Sequence, residues 1–235
     1  MPRTLDAPRP AGKTDGVKTV LAIAACGPRL ELALAVEGSA TGLVALAGAT
    51  PRSELVVAAI DLLVRGAGLG RDAIEAVVAS RGPGSFTGVR VALATAQGLA
   101  AALGIPAHGF SSLLAQAART DALECLAVQP ARRGFAYTQA FSRDGAPVAA
   151  GEPGIAAIES LAGAERPVVA PVGFPVPSGT PLATAPRSTA EALLLLMEAA
   201  ASFDAATLVP VYLEPAPASP PGAPRPPWPP SRKAS

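Results

Sequence analysis

Ser80-Arg81-Gly82-Pro83-Gly84-Ser85-Phe86-Thr87-Gly88-Val89-Arg90 lies where a strand must become a helix. Before it, Glu75 to Ala79 is a short apolar run rich in β-branched residues; after it, Val89 to Leu103 reads as one long helix. The glycines permit a tight turn and close backbone approach, and Ser85 or Thr87 offers an oxygen to the first free amides of the helix. A strand, a glycine turn and a helix N-terminus also make an anion cradle. Gly82, Gly84, Ser85, Thr87 and Gly88 are therefore candidate anion-binding residues, against the plainer reading of a compact strand-to-helix connection. Two nucleotide motifs do not fit. A Walker loop needs four residues between its glycines, but five separate Gly82 from Gly88, and Val89-Arg90 stands where Lys and Ser/Thr belong. A dinucleotide fingerprint needs a glycine at Thr87 and an acidic residue about 20 positions on, yet no Asp or Glu occurs between Glu75 and Asp121.

Upstream, Thr19 to Ala25, Leu30 to Val36 and Gly42 to Ala47 are three short apolar runs separated by turn residues, which predicts sequential antiparallel strands. Thr50 and Pro51 read as the N-cap and first-turn proline of a helix that stops at Gly66-Ala67-Gly68. Downstream come a strand from Ile105 to Phe110 and a helix from Ser111 to Arg119. The order βββαβαβα makes the fold class α/β, with a lobe of the RNase-H-like, actin type (ASKHA). The second half opens with Leu123 to Gln129, a turn at Ala131-Arg132-Arg133-Gly134 and a return strand from Phe135 to Phe141, as expected of a reduced second lobe. Val168 to Val172 reads as a further strand, Pro171 to Pro186 as a connection, and Ser188-Thr189-Ala190-Glu191 as a capping box before a helix over Ala192 to Ala201.

These elements divide the chain into a leader (1–17), an N-terminal lobe (18–120), a smaller lobe (121–213) and a tail (214–235). From Pro215 the tail has nine prolines in 21 residues and reads as disordered; Pro226-Pro227-Trp228-Pro229-Pro230 is its one candidate docking motif. With 235 residues, half of them hydrophobic, the chain can bury a real core. A net charge of +1 and a single histidine, His108, supply neither a nucleic-acid-binding charge excess nor a zinc site. Cys26 and Cys125 read as free, buried cysteines. The first residues lack the apolar core of a signal peptide and no run reads as a membrane-spanning helix, so a cytoplasmic protein is expected.

The two helices beside the glycine turn carry a further signal. The first, from Ser53 to Val64, is apolar nearly all round, interrupted only by Glu54 and Asp61, so its own lobe covers only part of it. In the second, Ala94, Gly98 and Ala102 form a ladder of small side chains. A mid-helix glycine costs about 1 kcal/mol relative to alanine, so Gly98 suggests close backbone packing, within the chain or against another.

The run Gly82 to Arg90, followed by Ala94-Thr95-Ala96-Gln97-Gly98-Leu99-Ala100 and Ile105-Pro106, closely resembles the signature of the bacterial TsaB (YeaZ) family. Weaker matches follow at Ser111-Ser112-Leu113, at Ala131 to Gly134 with Tyr137, and at Pro210-Val211-Tyr212-Leu213. The resemblance covers roughly residues 18–213 and implies the same actin-type fold. It implies a non-catalytic subunit that pairs with a TsaD-like catalytic subunit, joined by a TsaE-like ATPase, to make N6-threonylcarbamoyladenosine at position 37 of tRNA. The tRNA would be met only through the complex, and no cofactor is expected. That family uses the helix pair to bind a second subunit of the same fold, which assigns the partner interface to Leu55, Val56, Ala59, Ile60, Leu63, Val91, Ala94, Thr95, Gly98 and Ala102. A homodimer through the same helices competes for that surface.

The family usually has Ile-Asp-Thr-Ser at the end of the first strand, where actin-type phosphotransferases place a magnesium-binding carboxylate and phosphate-binding hydroxyls. This chain has Ile23-Ala24-Ala25-Cys26 instead. With no carboxylate at 24 and no hydroxyl at 25 or 26, such a site has lost its ligands. The competing enzyme readings are an actin-fold nucleotide-binding protein that uses Gly82 to Gly88 for phosphate, and a Cys26–His108 or Ser85–His108 nucleophile pair.

Overall fold

The computed structural model describes residues 16–200 and 202–214. The leader lies almost wholly outside these residues, as does the proline-rich tail with Trp228.

Strands β1 (Thr19–Ala24), β2 (Leu30–Val36) and β3 (Ser39–Leu46) form an antiparallel meander, and helix α1 (Arg52–Gly66) follows. β4 (Ala76–Ser80), α2 (Phe86–Leu103), β5 (Ala107–Phe110) and α3 (Ser112–Ala117) complete the βββαβαβα order. The sheet runs β3-β2-β1-β4-β5, with β4 and β5 parallel to β1. This is the strand order of an RNase-H-like, actin-type lobe, so the fold class expected from the sequence is the one observed.

The side chains of this sheet divide by period two into a large-residue face and a small-residue face. Leu21, Ile23, Leu32, Leu34 and Val77 point into a core shared with α1 and α2. The alternate residues Ala22, Ala24, Ala33, Ala35 and Ala76 line the opposite face. Alanines leave room for a helix rich in large side chains to come close, and α4 (Thr189–Ala199) supplies it with Leu193, Leu196 and Met197. The chain therefore does not split into consecutive lobes at residue 120. Its last helix crosses back to cover the first sheet, because an apolar strand face left open to water is costly.

The second sheet orders β10 (Val168–Val169), β6 (Glu124–Pro130), β7 (Phe135–Asp144) and β8 (Ala146–Ala149), and β9 (Gly154–Ala157) also pairs with β7. The β6–β7 hairpin over Ala131 to Gly134 is as expected, with Gly134 at φ +81°. β8, β9 and the short 3-10 helix Ile158–Gly163 have no counterpart in the sequence reading, and the strand at Val168 is two residues rather than five. At the start of α1, Pro51 and not Thr50 occupies the N-cap position, with no side-chain cap, because its extended ψ of 134° delays the helix to Arg52. The capping box at Ser188 and Glu191 is present with both of its hydrogen bonds.

Candidate functional site

The glycine turn leaves the end of β4 and enters α2 against the turn after β1. Ser85, rather than Thr87, caps α2: its Oγ accepts the Gly88 N–H at 3.2 Å. The Ser85 N–H donates to the Cys26 carbonyl at 2.8 Å. Each glycine is required by the chain's own backbone. A Cβ at Gly84 would lie 2.4 Å from the Cys26 carbonyl oxygen, one at Gly88 1.8 Å from that of Ala25, and one at Gly82 2.5 Å from that of Val211. Gly82 and Gly84 also take φ of +97° and +149°, in the region that favours glycine. Arg52, at the start of α1, donates to the Ser85 Oγ at 3.2 Å and to the Gly27 carbonyl at 2.7 Å, closing the turn from the side. The candidate anion-binding residues are thus brought together, but the β1–β2 turn packs where Gly84 and Gly88 leave room, and the Val211 carbonyl where Gly82 does. The plainer reading of the turn fits this geometry.

Between the two sheets, where an actin-type fold binds its ligand, the walls come from Ala24, Cys26, Ser80, Gln129, Pro171 and Thr189, and the cavity is about 10 Å³. That is room for about one water molecule. The Cys26 Sγ lies 3.1 Å from the Ser80 Oγ, and burial pushes its thiol up to about 11, so it stays protonated at neutral pH. Neither nucleophile pair forms. The His108 Nδ1 accepts the Asp204 N–H at 3.1 Å and its ring packs, tilted, against Phe110, while Ser85 is engaged by Gly88 and Arg52. Both cysteines are free and buried, as expected. Among the described residues, no three His, Cys, Asp or Glu side chains gather as a metal site.

Several polar residues that hold this region together went unremarked in the sequence. Glu31, only 5% exposed on β2, accepts the Thr189 N–H at the start of α4. Arg119 donates to the carbonyls of Ala170 and Arg187 and to the Gln116 side chain. A charged residue inside an apolar run, such as Glu31 between Leu30 and Leu32, was the available signal.

The helix pair α1/α2 divides the ten expected interface residues. Val56, Ala59, Ile60 and Leu63 are 4–6% exposed inside the chain's own core, so they are not available to a partner. They lie on the α1 face that packs on Leu32 and Leu34. Leu55, Val91 and Thr95 are half-buried, and Ala94, Gly98 and Ala102 are exposed. The outer face of α1 instead shows Val57 and Leu62, at 56% and 62% exposure. A Cβ at Gly98 would meet nothing within 4 Å, so packing within this chain does not account for that glycine. By length and composition alone, α2 is long and apolar enough to cross a membrane. Its composition has a local cause: Val89, Ala92, Leu93 and Ala96 enter the core, while the opposite face is built of small residues.

The family model described as TsaD, tRNA N6-adenosine threonylcarbamoyltransferase, matches residues 42–206. Two curated relatives are named tRNA threonylcarbamoyladenosine biosynthesis protein TsaB. The one from Haemophilus influenzae is 37% identical over 99 residues, 42% of each chain. The one from Escherichia coli is 41% identical over 75 residues, 30% of this chain and 32% of that protein. The matched regions thus span less than half the length of these relatives. Among solved structures, YeaZ from Pseudomonas aeruginosa superposes with a TM-score of 0.65 at 25% identity, covering 83% of this chain and all of that one.

Proposed function

The chain belongs to the TsaB (YeaZ) family, and from that premise we propose that it is a non-catalytic subunit in the synthesis of N6-threonylcarbamoyladenosine in tRNA, pairing through α1 and α2 with a TsaD-like catalytic subunit. The names of the matched relatives supply the pathway. The observation that carries the pairing is the outer face of the helix pair, where Val57 and Leu62 stand exposed beside the ladder of Ala94, Gly98 and Ala102. Small residues let a second helix approach closely, and two helices from each side bury roughly 800 Å² per partner, enough for a specific complex. A partner of related fold presents a like pair, giving a four-helix contact. A TsaE-like ATPase joins the pair, and tRNA is met only through the complex.

Two features support the non-catalytic part: Ala24 stands where an actin-type site needs a carboxylate, and the cavity beside it holds about one water. Light scattering on this chain mixed with the TsaD-like subunit of its own genome tests the reading, with a one-to-one complex at micromolar concentration as the expected result. Gly98→Leu projects a branched side chain from a position with no neighbour within 4 Å, so the variant folds normally and loses the complex. A variant that still co-elutes removes this face from the interface. A wild-type chain that forms only its own dimer assigns the face to self-association instead.

A further inference from the structure

Two stretches far apart in sequence, Gly82 to Arg90 and Ala131 to Tyr137, converge on the segment from Phe203 to Glu214, which contains Pro210 to Leu213. Apart from a 3-10 turn at Ala205–Thr207, this segment has no regular structure, yet it is held at several points along its length. Phe203 and Leu208 are 1% and 4% exposed. The Asp204 N–H reaches His108 on β5, and the Gly109 N–H donates to the Thr207 Oγ1 at 2.7 Å. Gly109 has no room for a side chain: its Cβ would lie 2.6 Å from the Thr207 carbonyl oxygen. Gln97, midway along α2, donates to the Leu208 carbonyl at 3.0 Å. The Val211 N–H donates to the Arg81 carbonyl at 2.8 Å, and the Val211 carbonyl lies over Gly82.

The segment ends by touching both halves of the molecule. The Tyr212 ring packs, tilted by 36°, at 5.4 Å from that of Phe86, the first residue of α2, whose ring also carries the Arg90 guanidinium at 3.8 Å. Two residues on, the Glu214 carboxylate pairs with Arg132 and accepts the Tyr137 O–H at 3.3 Å, both on the β6–β7 hairpin of the second sheet. The Arg132 guanidinium is itself laid over the Phe135 ring at 4.1 Å. Beyond its one 3-10 turn the stretch has no regular structure of its own, so it transmits position only if it is anchored at both ends, and here one anchor is on each sheet.

We propose that residues 203–214 form a strap that holds the first turn of α2 in place through Tyr212 and is itself anchored to the second sheet by Glu214. The placement of α2, and with it one end of the exposed α1/α2 face, then depends on the second sheet. Its consequence for a partner rests on the pairing proposed above; the strap itself does not.

Amide hydrogen exchange on the full chain tests this. In Glu214→Ala, the amides of Val211 and of Gly88, Val89 and Arg90 exchange at least tenfold faster than in the wild type, while those of α4 keep their protection. Tyr212→Ala, which leaves the Glu214 anchor intact, gives the same gain at Gly88 to Arg90. The proposal is overturned if Val211 does not accelerate, if Val211 accelerates while Gly88 to Arg90 do not, or if α4 loses protection to the same degree. Titration against the TsaD-like subunit adds a separate reading: Glu214→Ala binds at least tenfold more weakly. A wild-type chain that does not bind sinks the pairing and leaves the exchange data to decide the strap.

Discussion

His108, the one histidine in the chain, has a task that its sequence position on a short strand did not announce. Its Nδ1 is an acceptor, so the neutral ring is the form that holds the Asp204 N–H. Burial pushes the imidazole below its ordinary value of 6.5, the Asp204 carboxylate opposes that shift, and the Arg81 guanidinium adds to it. The folded state therefore takes up this proton less readily than the unfolded chain. The stability from the neutral ring is complete above about pH 6.5 and is lost as pH falls from there towards the depressed folded value. Urea unfolding at pH 7.5 and 5.5 measures this, with His108→Asn as the reference, since the asparagine oxygen can still accept the amide but does not titrate. The wild-type midpoint falls further than that of the variant over this interval; equal falls would show that His108 does not report the linkage. The ring's direct titration, followed by nuclear magnetic resonance, gives a single curve centred below 6.5.

At the scale of the element, α2 contains two glycines with opposite meanings. Gly88, in the first turn, is seated against the Ala25 backbone, where a Cβ would fall 1.8 Å from the carbonyl oxygen and 2.9 Å from the Arg52 Nη1. Gly88→Ala forces the helix start away from the β1–β2 turn and costs about 1–3 kcal/mol or more. Gly98→Ala meets nothing within 4 Å and gains up to about 1 kcal/mol from helix propensity. Chemical denaturation of the two variants separates the roles by sign, and a loss at both would mean that Gly98 is also held by this chain. The sequence made both glycines conspicuous but could not assign them, because spacing alone does not say what stands opposite. Regular elements were more legible. The apolar runs of β1 and β2 and the Ser188 capping box each follow from local chemistry and are present as read. The four α1 residues misplaced at the surface fail for a related reason: a helix apolar on nearly every side does not reveal which side the sheet takes.

The whole molecule was legible in its first sheet and much less so in the way the chain closes around it. Nothing local in Thr189 to Ala199 states that this helix covers the alanine face of β1 and β2; that follows only once the strands are paired and their small residues seen on one side. The same closure decides the space between the sheets. Gln129, fully buried, and Pro171 both close on Gly27, and Arg119 ties α3 to the carbonyls of Ala170 and Arg187. The space left is about 10 Å³, against roughly 300–1,000 Å³ for the pockets that hold small-molecule ligands. To admit a nucleotide the walls at Gln129, Pro171 and Thr189 must move away from Ala24 and Cys26, at about 1–3 kcal/mol for each buried polar group left without its hydrogen bond. Ala24 offers no carboxylate for the accompanying magnesium to repay that cost. Calorimetry with Mg·ATP and Mg·ADP on the isolated chain therefore shows no saturable heat below millimolar concentration, and thermal unfolding is unmoved by either nucleotide. Micromolar binding would mean that the two sheets open readily in solution, and would return the glycine turn, with Arg52 beside it, to consideration as a phosphate site.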